Sequence, residues 1–159
     1  MEFLRAFDGA EHGDNFGSSV SGYFIPPVSG NYRFWIASDG SSQLSLDATA
    51  EQSGASVIAS VSGGTDRHQW LDSTPNRSQQ ISLVAGVPYF IEALHKESTG
   101  ADHVSVAFSG PGMPKQLLGG RYLAPSARNY APRVANPIFV IEGHAFAGQE
   151  GGRASASDP

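Results

Sequence analysis

The sequence predicts an all-β fold, an antiparallel β-sandwich or barrel. Three observations carry this. Apolar and polar residues alternate in several short runs, the signature of half-buried strands. Gly 19 and Pro 10 are spread along the whole chain, as expected of many turns. No segment sustains an apolar period of 3.6 residues, so helices have no support in the pattern.

The elements follow in order. Gly22–Ile25 is a first short strand. Pro26-Pro27-Val28-Ser29-Gly30 turns the chain, because proline presets φ and glycine takes backbone angles closed to other residues. Asn31–Ala37 alternates strictly, with Tyr32, Phe34 and Ile36 on one face and Asn31, Arg33 and Trp35 on the other. Asp39-Gly40-Ser41 ends it, and Gln43–Leu46 and Ser56–Val61 are the next candidate strands. Ser62–Gln79 is too long for a tight connection and reads as a surface excursion with Trp70 near its middle. Gln80–Val84 and the turn Ala85-Gly86-Val87-Pro88 lead into Pro88–His95, which is apolar on both faces and therefore expected to be central. Ser98-Thr99-Gly100-Ala101-Asp102 then turns into His103–Phe108, with Val104, Val106 and Phe108 inward. Arg121–Leu123 is the last strand of this group.

After Leu123 the texture changes. Residues 125–136 carry prolines and arginines with little periodicity and read as a linker. Pro137–Glu142 is a new short strand. One strand and a turn cannot bury their own apolar face, so residues 137–159 are expected to be either a disordered tail or the truncated opening of a second domain in a larger parent chain.

Composition excludes several functions. The 159 residues suit one domain with a fragment of another. Lys+Arg 10 against Asp+Glu 15 gives −5, and without a basic run there is no grip for nucleic acid. No apolar stretch approaches the ~18–20 residues of a membrane-spanning helix, so no membrane insertion is expected. With Cys 0, thiol catalysis, cysteine-ligated zinc and disulfides are all excluded. The five histidines show no i, i+4 zinc pair, and no serine sits in a Gly-x-Ser-x-Gly elbow. The chain is therefore expected not to be an enzyme.

Gly22–Asp39, read as GYFIPPVSGNYRFWIASD, resembles the core signature of the protective-antigen-type lectin module, the PA14 domain. The likeness continues in order through Ile58–Gly63, Ile81–Gly86, Tyr89–Glu97, Gly100–Asp102, Val104–Phe108 and Tyr122-Leu123. It assigns residues 1–124 to a PA14-like module lacking the strand that usually precedes the segment matched by Phe3–Phe7. An edge left exposed is the expected consequence. Residues 137–159 resemble the opening of a cadherin-like repeat, in which Glu142 and Asp158 map onto calcium-ligand positions.

The PA14 resemblance implies carbohydrate binding through one calcium ion. In such lectins two consecutive aspartates joined by a cis peptide ligate the metal, a second loop adds oxygens, and vicinal sugar hydroxyls complete the shell. Mapped here, Asp39 supplies the first carboxylate and Asp102 the second loop's side-chain oxygen, with Gly100 and His103 contributing carbonyls. Asp39, Gly40, Ser41, Asp102, His103 and Trp70 are the candidate sugar-contacting residues. The pattern departs from the family at Gly40, where the second aspartate is absent, so calcium is expected to bind weakly. Asp-Gly is also a favoured hairpin pair, and that plainer reading of Asp39-Gly40 stands beside the functional one. Trp70 reads first as packing of the excursion onto the barrel, and second as a sugar contact.

The expectation is thus an extracellular or cell-surface, non-catalytic module of an adhesin. Its partner is a glycan or glycoprotein on a cell surface. A structural spacer with a degenerate calcium site, or an appendage of a secreted glycoside hydrolase, are the alternatives.

Overall fold

The computed structural model describes residues 2–4, 6–9, 17–47, 54–96, 102–125 and 139–143. Twelve strands lie among them. They are β1 (Glu2–Leu4), β2 (Asp8–Gly9), β3 (Gly17–Phe24), β4 (Gly30–Ser38), β5 (Ser41–Asp47), β6 (Ser56–Val61), β7 (Ile81–Leu83), β8 (Tyr89–Lys96), β9 (Val104–Gly110), β10 (Met113–Leu117), β11 (Leu123–Ala124) and β12 (Phe139–Gly143). A seven-stranded sheet has the order β1-β12-β3-β8-β5-β6, with β11 also paired to β3. A five-stranded sheet has the order β10-β9-β4-β7, with β2 paired to β9. All pairings are antiparallel. The expected sandwich is the observed one.

Alternation decides which side chains fill the space between the sheets. Tyr32, Phe34 and Ile36 of β4 are fully buried, as are Val106 and Phe108 of β9, Phe24 of β3 and Ile91 of β8. Phe24 sits at the centre, with its ring edge-on to Tyr32, Phe34 and Phe108 at centroid distances of 5.5, 5.3 and 5.4 Å. Such pairs add to the burial energy through ring electrostatics. Gly110 is required here because a Cβ would collide with the Tyr32 ring.

Three features of the fold go beyond the sequence reading. Trp35, on the outer face of β4, is buried. The excursion covers it: the Asp72 carboxylate accepts its indole N–H at 2.9 Å, and the Lys115 ammonium lies 4.8 Å over its ring. The same excursion stitches the sheets together. The Ser78 hydroxyl and N–H pair with the Phe34 backbone, the Ile36 N–H reaches the Asn76 carbonyl, and the Ser60 N–H on β6 reaches the Pro75 carbonyl.

Second, β3 begins five residues before the predicted strand and β10 was not predicted. Gly17–Ser21 is poor in the β-branched and aromatic residues that mark strands. Pro114 argues against a strand, and it is accommodated because β10 is an edge strand with a register shift between Met113 and Gln116.

Third, β12 does not stand apart from the module. It lies between β1 and β3, in register Ile141↔Val20 and Glu2↔Ile141. It covers the edge of β3 that β8 leaves open, so a strand from residues 137–159 is one of the seven in this sheet. Asp158 lies outside the described residues.

Candidate functional site

The site forms where two connections cross between sheets at the same end of the sandwich. β4 belongs to the five-stranded sheet and β5 to the seven-stranded one, so Asp39-Gly40 is a crossover and not a hairpin. β8 and β9 also belong to different sheets, so the segment ending in Asp102 and His103 is a second crossover. β4 and β9 are neighbours in register Ser38↔Val104, which places the two crossovers side by side.

Asp39 joins them. Its N–H donates to the His103 carbonyl at 3.2 Å, and its Oδ1 accepts the His103 N–H at 3.1 Å. The same Oδ1 lies 3.1 Å from Nε2 of His95, at the end of β8. His95 is buried because β8 turns Ile91, Ala93 and His95 inward. Sequence reading took His95 for a plain strand end. The signal available was its phase: an imidazole on the inward face at the last turn of a strand needs a polar partner.

A third segment braces the same turn. Thr65 donates its N–H to the Ser38 carbonyl, and its hydroxyl accepts the Ser38 N–H at 3.1 Å. Gly64 has φ +95, and a Cβ there would meet the Asp39 carbonyl oxygen at 2.7 Å. Ser38 Oγ donates to the Gly40 carbonyl at 2.8 Å and lies 2.7 Å from Ser42 Oγ. Ser41, next in the turn, is exposed, and its hydroxyl reaches the Ser62 carbonyl at 3.3 Å.

The other predicted residues divide. Asp102 is buried beside His103. The His103 imidazole is buried too, so it offers no open face to a sugar, and burial lowers its pKa against the opposing pull of Asp39. Gly100 lies outside the described residues. Trp70 is spent on packing: its indole N–H donates to Ser105 at 3.2 Å and its ring stacks on His68 at 5.1 Å. Thr74–Pro75 is the one cis peptide among the described residues, so the Asp39–Gly40 bond is trans.

The donor set fits calcium in kind and falls short in number. Calcium takes 6–8 hard oxygens; the crossovers bring the Asp39 carboxylate against the His103 backbone, and Asp102 is the next residue before it. Among the described residues no group of three or more His, Asp or Glu is gathered to hold a metal. Any shortfall has to be met by ligand hydroxyls and water.

The PA14 domain family model matches residues 5–118. This chain belongs to the PA14 domain family. A fibrocystin of Canis lupus familiaris is 30% identical over an alignment of 96 residues that covers 54% of this chain and 2% of that protein. An N-acetyl-beta-glucosaminyl-glycoprotein 4-beta-N-acetylgalactosaminyltransferase 1 of Mus musculus is 28% identical over an alignment of 121 residues that covers 69% of this chain and 11% of that enzyme. The chain therefore spans a small part of the curated relatives it matches. Among solved structures, the PA14 sugar-binding domain from an RTX adhesin superposes with TM-score 0.54 at 14% identity, covering 76% of this chain and 75% of that one. The epithelial adhesin 6 A domain of Candida glabrata, solved with Galb1-3GlcNAc, superposes with TM-score 0.51 at 14% identity, covering 77% of this chain and 57% of that one. These two likenesses establish the PA14 sandwich.

Proposed function

We propose that this chain is a non-catalytic carbohydrate-binding module of a larger extracellular or cell-surface protein, and that it takes glycans at the paired crossovers. One observation carries the reading: Asp39 and the Asp102-His103 segment, far apart in sequence, are bound to each other through both the side chain and the backbone of Asp39. Membership of a family with solved sugar-binding and adhesin members supports it.

In this reading calcium is held by the Asp39 and Asp102 carboxylates with loop carbonyls, Gly100 and His103 being the candidates for the latter. The ion supplies a centre for vicinal sugar hydroxyls. The protein's own residues do the rest. His95 and the His103 N–H orient the Asp39 carboxylate, Gly64 lets the excursion close against the turn, and Ser41 is the exposed hydroxyl placed to contact a sugar. Because Gly40 brings no second carboxylate, the ion is weakly held, and useful avidity comes from several copies on one surface.

Calcium titration calorimetry and a glycan array, each run with and without chelator, test this. Asp39→Ala is expected to abolish the calcium heat and the chelator-sensitive part of glycan binding. If the glycan signal is the same with calcium, with chelator and in Asp39→Ala, the calcium mechanism is wrong. A structural spacer is the second reading, favoured by the two N–H groups already satisfied by Asp39 Oδ1. It predicts no glycan binding under any condition.

A further inference from the structure

A groove of about 770 Å³ runs from the crossover end of the seven-stranded sheet, where Ser41, Ser42 and His95 line it, onto the sheet's outer face. Its origin is in the sequence. Strand alternation turns Ser19 of β3, Glu92, Leu94 and Lys96 of β8, Ser41 and Gln43 of β5 and Ser60 of β6 away from the core. Register aligns them in rows across the strands: Ser19↔Leu94, Leu94↔Gln43 and Gln43↔Ser60 in one, and Lys96↔Ser41 in the next. Serines are short, so the longer Glu92, Lys96 and Gln43 side chains stand around a trough.

The chemistry of this trough is specific. Leu94 is 45% exposed in its middle, an apolar platform. Around it are hydroxyls that both donate and accept, an amide that does both, and one carboxylate already oriented by the Ser19 hydroxyl at 2.8 Å. Lys96 adds a cationic donor four residues further along β8 on the same face. A ligand matching such a surface presents many two-way hydroxyls and a small apolar ring face, and the volume falls within the ordinary range of small-ligand clefts. An oligosaccharide has those properties. A polypeptide strand is less suited, because β3, β8 and β5 are paired on both sides and the end strand β6 already gives its Ser60 N–H to the Pro75 carbonyl.

We propose that this groove is a second, metal-free saccharide subsite lying across β3, β8, β5 and β6. It needs no cation because its donors and acceptors are serine, glutamine, glutamate and lysine side chains. It starts at Ser41, directly after the Asp39-Gly40 crossover, and shares His95 with it. A glycan longer than one or two units can therefore run from the crossover onto the sheet.

The test uses the full chain carrying both Asp39→Ala and Asp102→Ala, in chelator, on an array of mono- to hexasaccharides. Weak binding is expected to survive for oligosaccharides of three or more units. Adding Gln43→Ala or Leu94→Lys, both at exposed positions, is expected to weaken that residue of binding by at least fivefold while the thermal midpoint stays unchanged. The subsite is overturned if no oligosaccharide binds in chelator, or if the surviving binding ignores both groove variants. Failure of the crossover site reads differently, as absence of the calcium heat in the unmodified chain.

Discussion

Asp39 shows how much one residue's surroundings decide. Its carboxylate was legible as a candidate because it follows a strongly alternating strand in a Gly/Ser-rich loop, and Asp102 was legible for the same reason. His95 and Gly64 were not legible, since both act through contacts between segments distant in sequence. Gly64 yields the sharpest residue-level prediction. A side chain there is opposed both by φ +95 and by the Asp39 carbonyl. Backbone strain of this kind costs of order 1–3 kcal/mol. Gly64→Ala is expected to lower unfolding free energy in urea by about that amount and to weaken calcium heat in calorimetry. An unchanged urea midpoint would show that the turn is not braced there. His103 gives a pH prediction. Burial lowers its folded pKa below 6.5, so below that pH the unfolded chain takes up the proton more readily than the folded one. Stability is then lost as pH falls through 6.5 toward the folded pKa. Urea titrations across that window are expected to show a smaller loss in His103→Gln than in the unmodified chain.

At the scale of elements, β4, β6, β8 and β9 could be read almost in full, because a buried face leaves a period-2 trace. What alternation does not reveal is which sheet a strand joins. Asp39-Gly40 has hairpin chemistry, yet β4 and β5 lie in different sheets, and only that crossing makes the turn a site. Residues 62–79 were read as a surface excursion and prove to be a seam between the sheets. Beyond β7, residues 76–78 continue as the irregular neighbour of β4, with Ser78 serving Phe34 through both its backbone and its hydroxyl. Ser78→Ala leaves the Phe34 N–H, inside the sandwich, without its acceptor. An unmet buried donor costs about 1–3 kcal/mol. Chemical denaturation is expected to show that loss, and hydrogen exchange is expected to show faster exchange at Phe34 and Ile36 with little change in β3 and β8. Uniformly faster exchange in every strand would instead mean that Ser78 supports the whole sandwich.

The whole molecule turns on where the last strand goes. Sequence reading placed residues 137–159, with the strand Pro137–Glu142, in a separate repeat because the intervening segment looks like a linker and one strand cannot bury its own apolar face. Pairing in a sheet is not limited by sequence distance, since lengthening a loop adds little closure entropy. β3 has an edge that β8 does not use, and β12 pairs with it over Ser18–Ser21 while β1 pairs with β12 on its far side. A chain cut after residue 125 would lose both pairings. The N–H and C=O groups of β3 that face β12 would then meet water or another chain, and an open edge of this kind promotes association. Amide exchange at positions 18–21 is therefore expected to accelerate by at least about tenfold in the shortened chain, the factor that corresponds to roughly 1.4 kcal/mol. Light scattering is expected to show larger species at high concentration. Ile141→Pro in the full chain removes one ladder donor without removing the segment, and it is expected to reproduce the exchange at Val20 and its neighbours in part. Equal exchange at 18–21 in the full and shortened chains would return β12 to an independent domain.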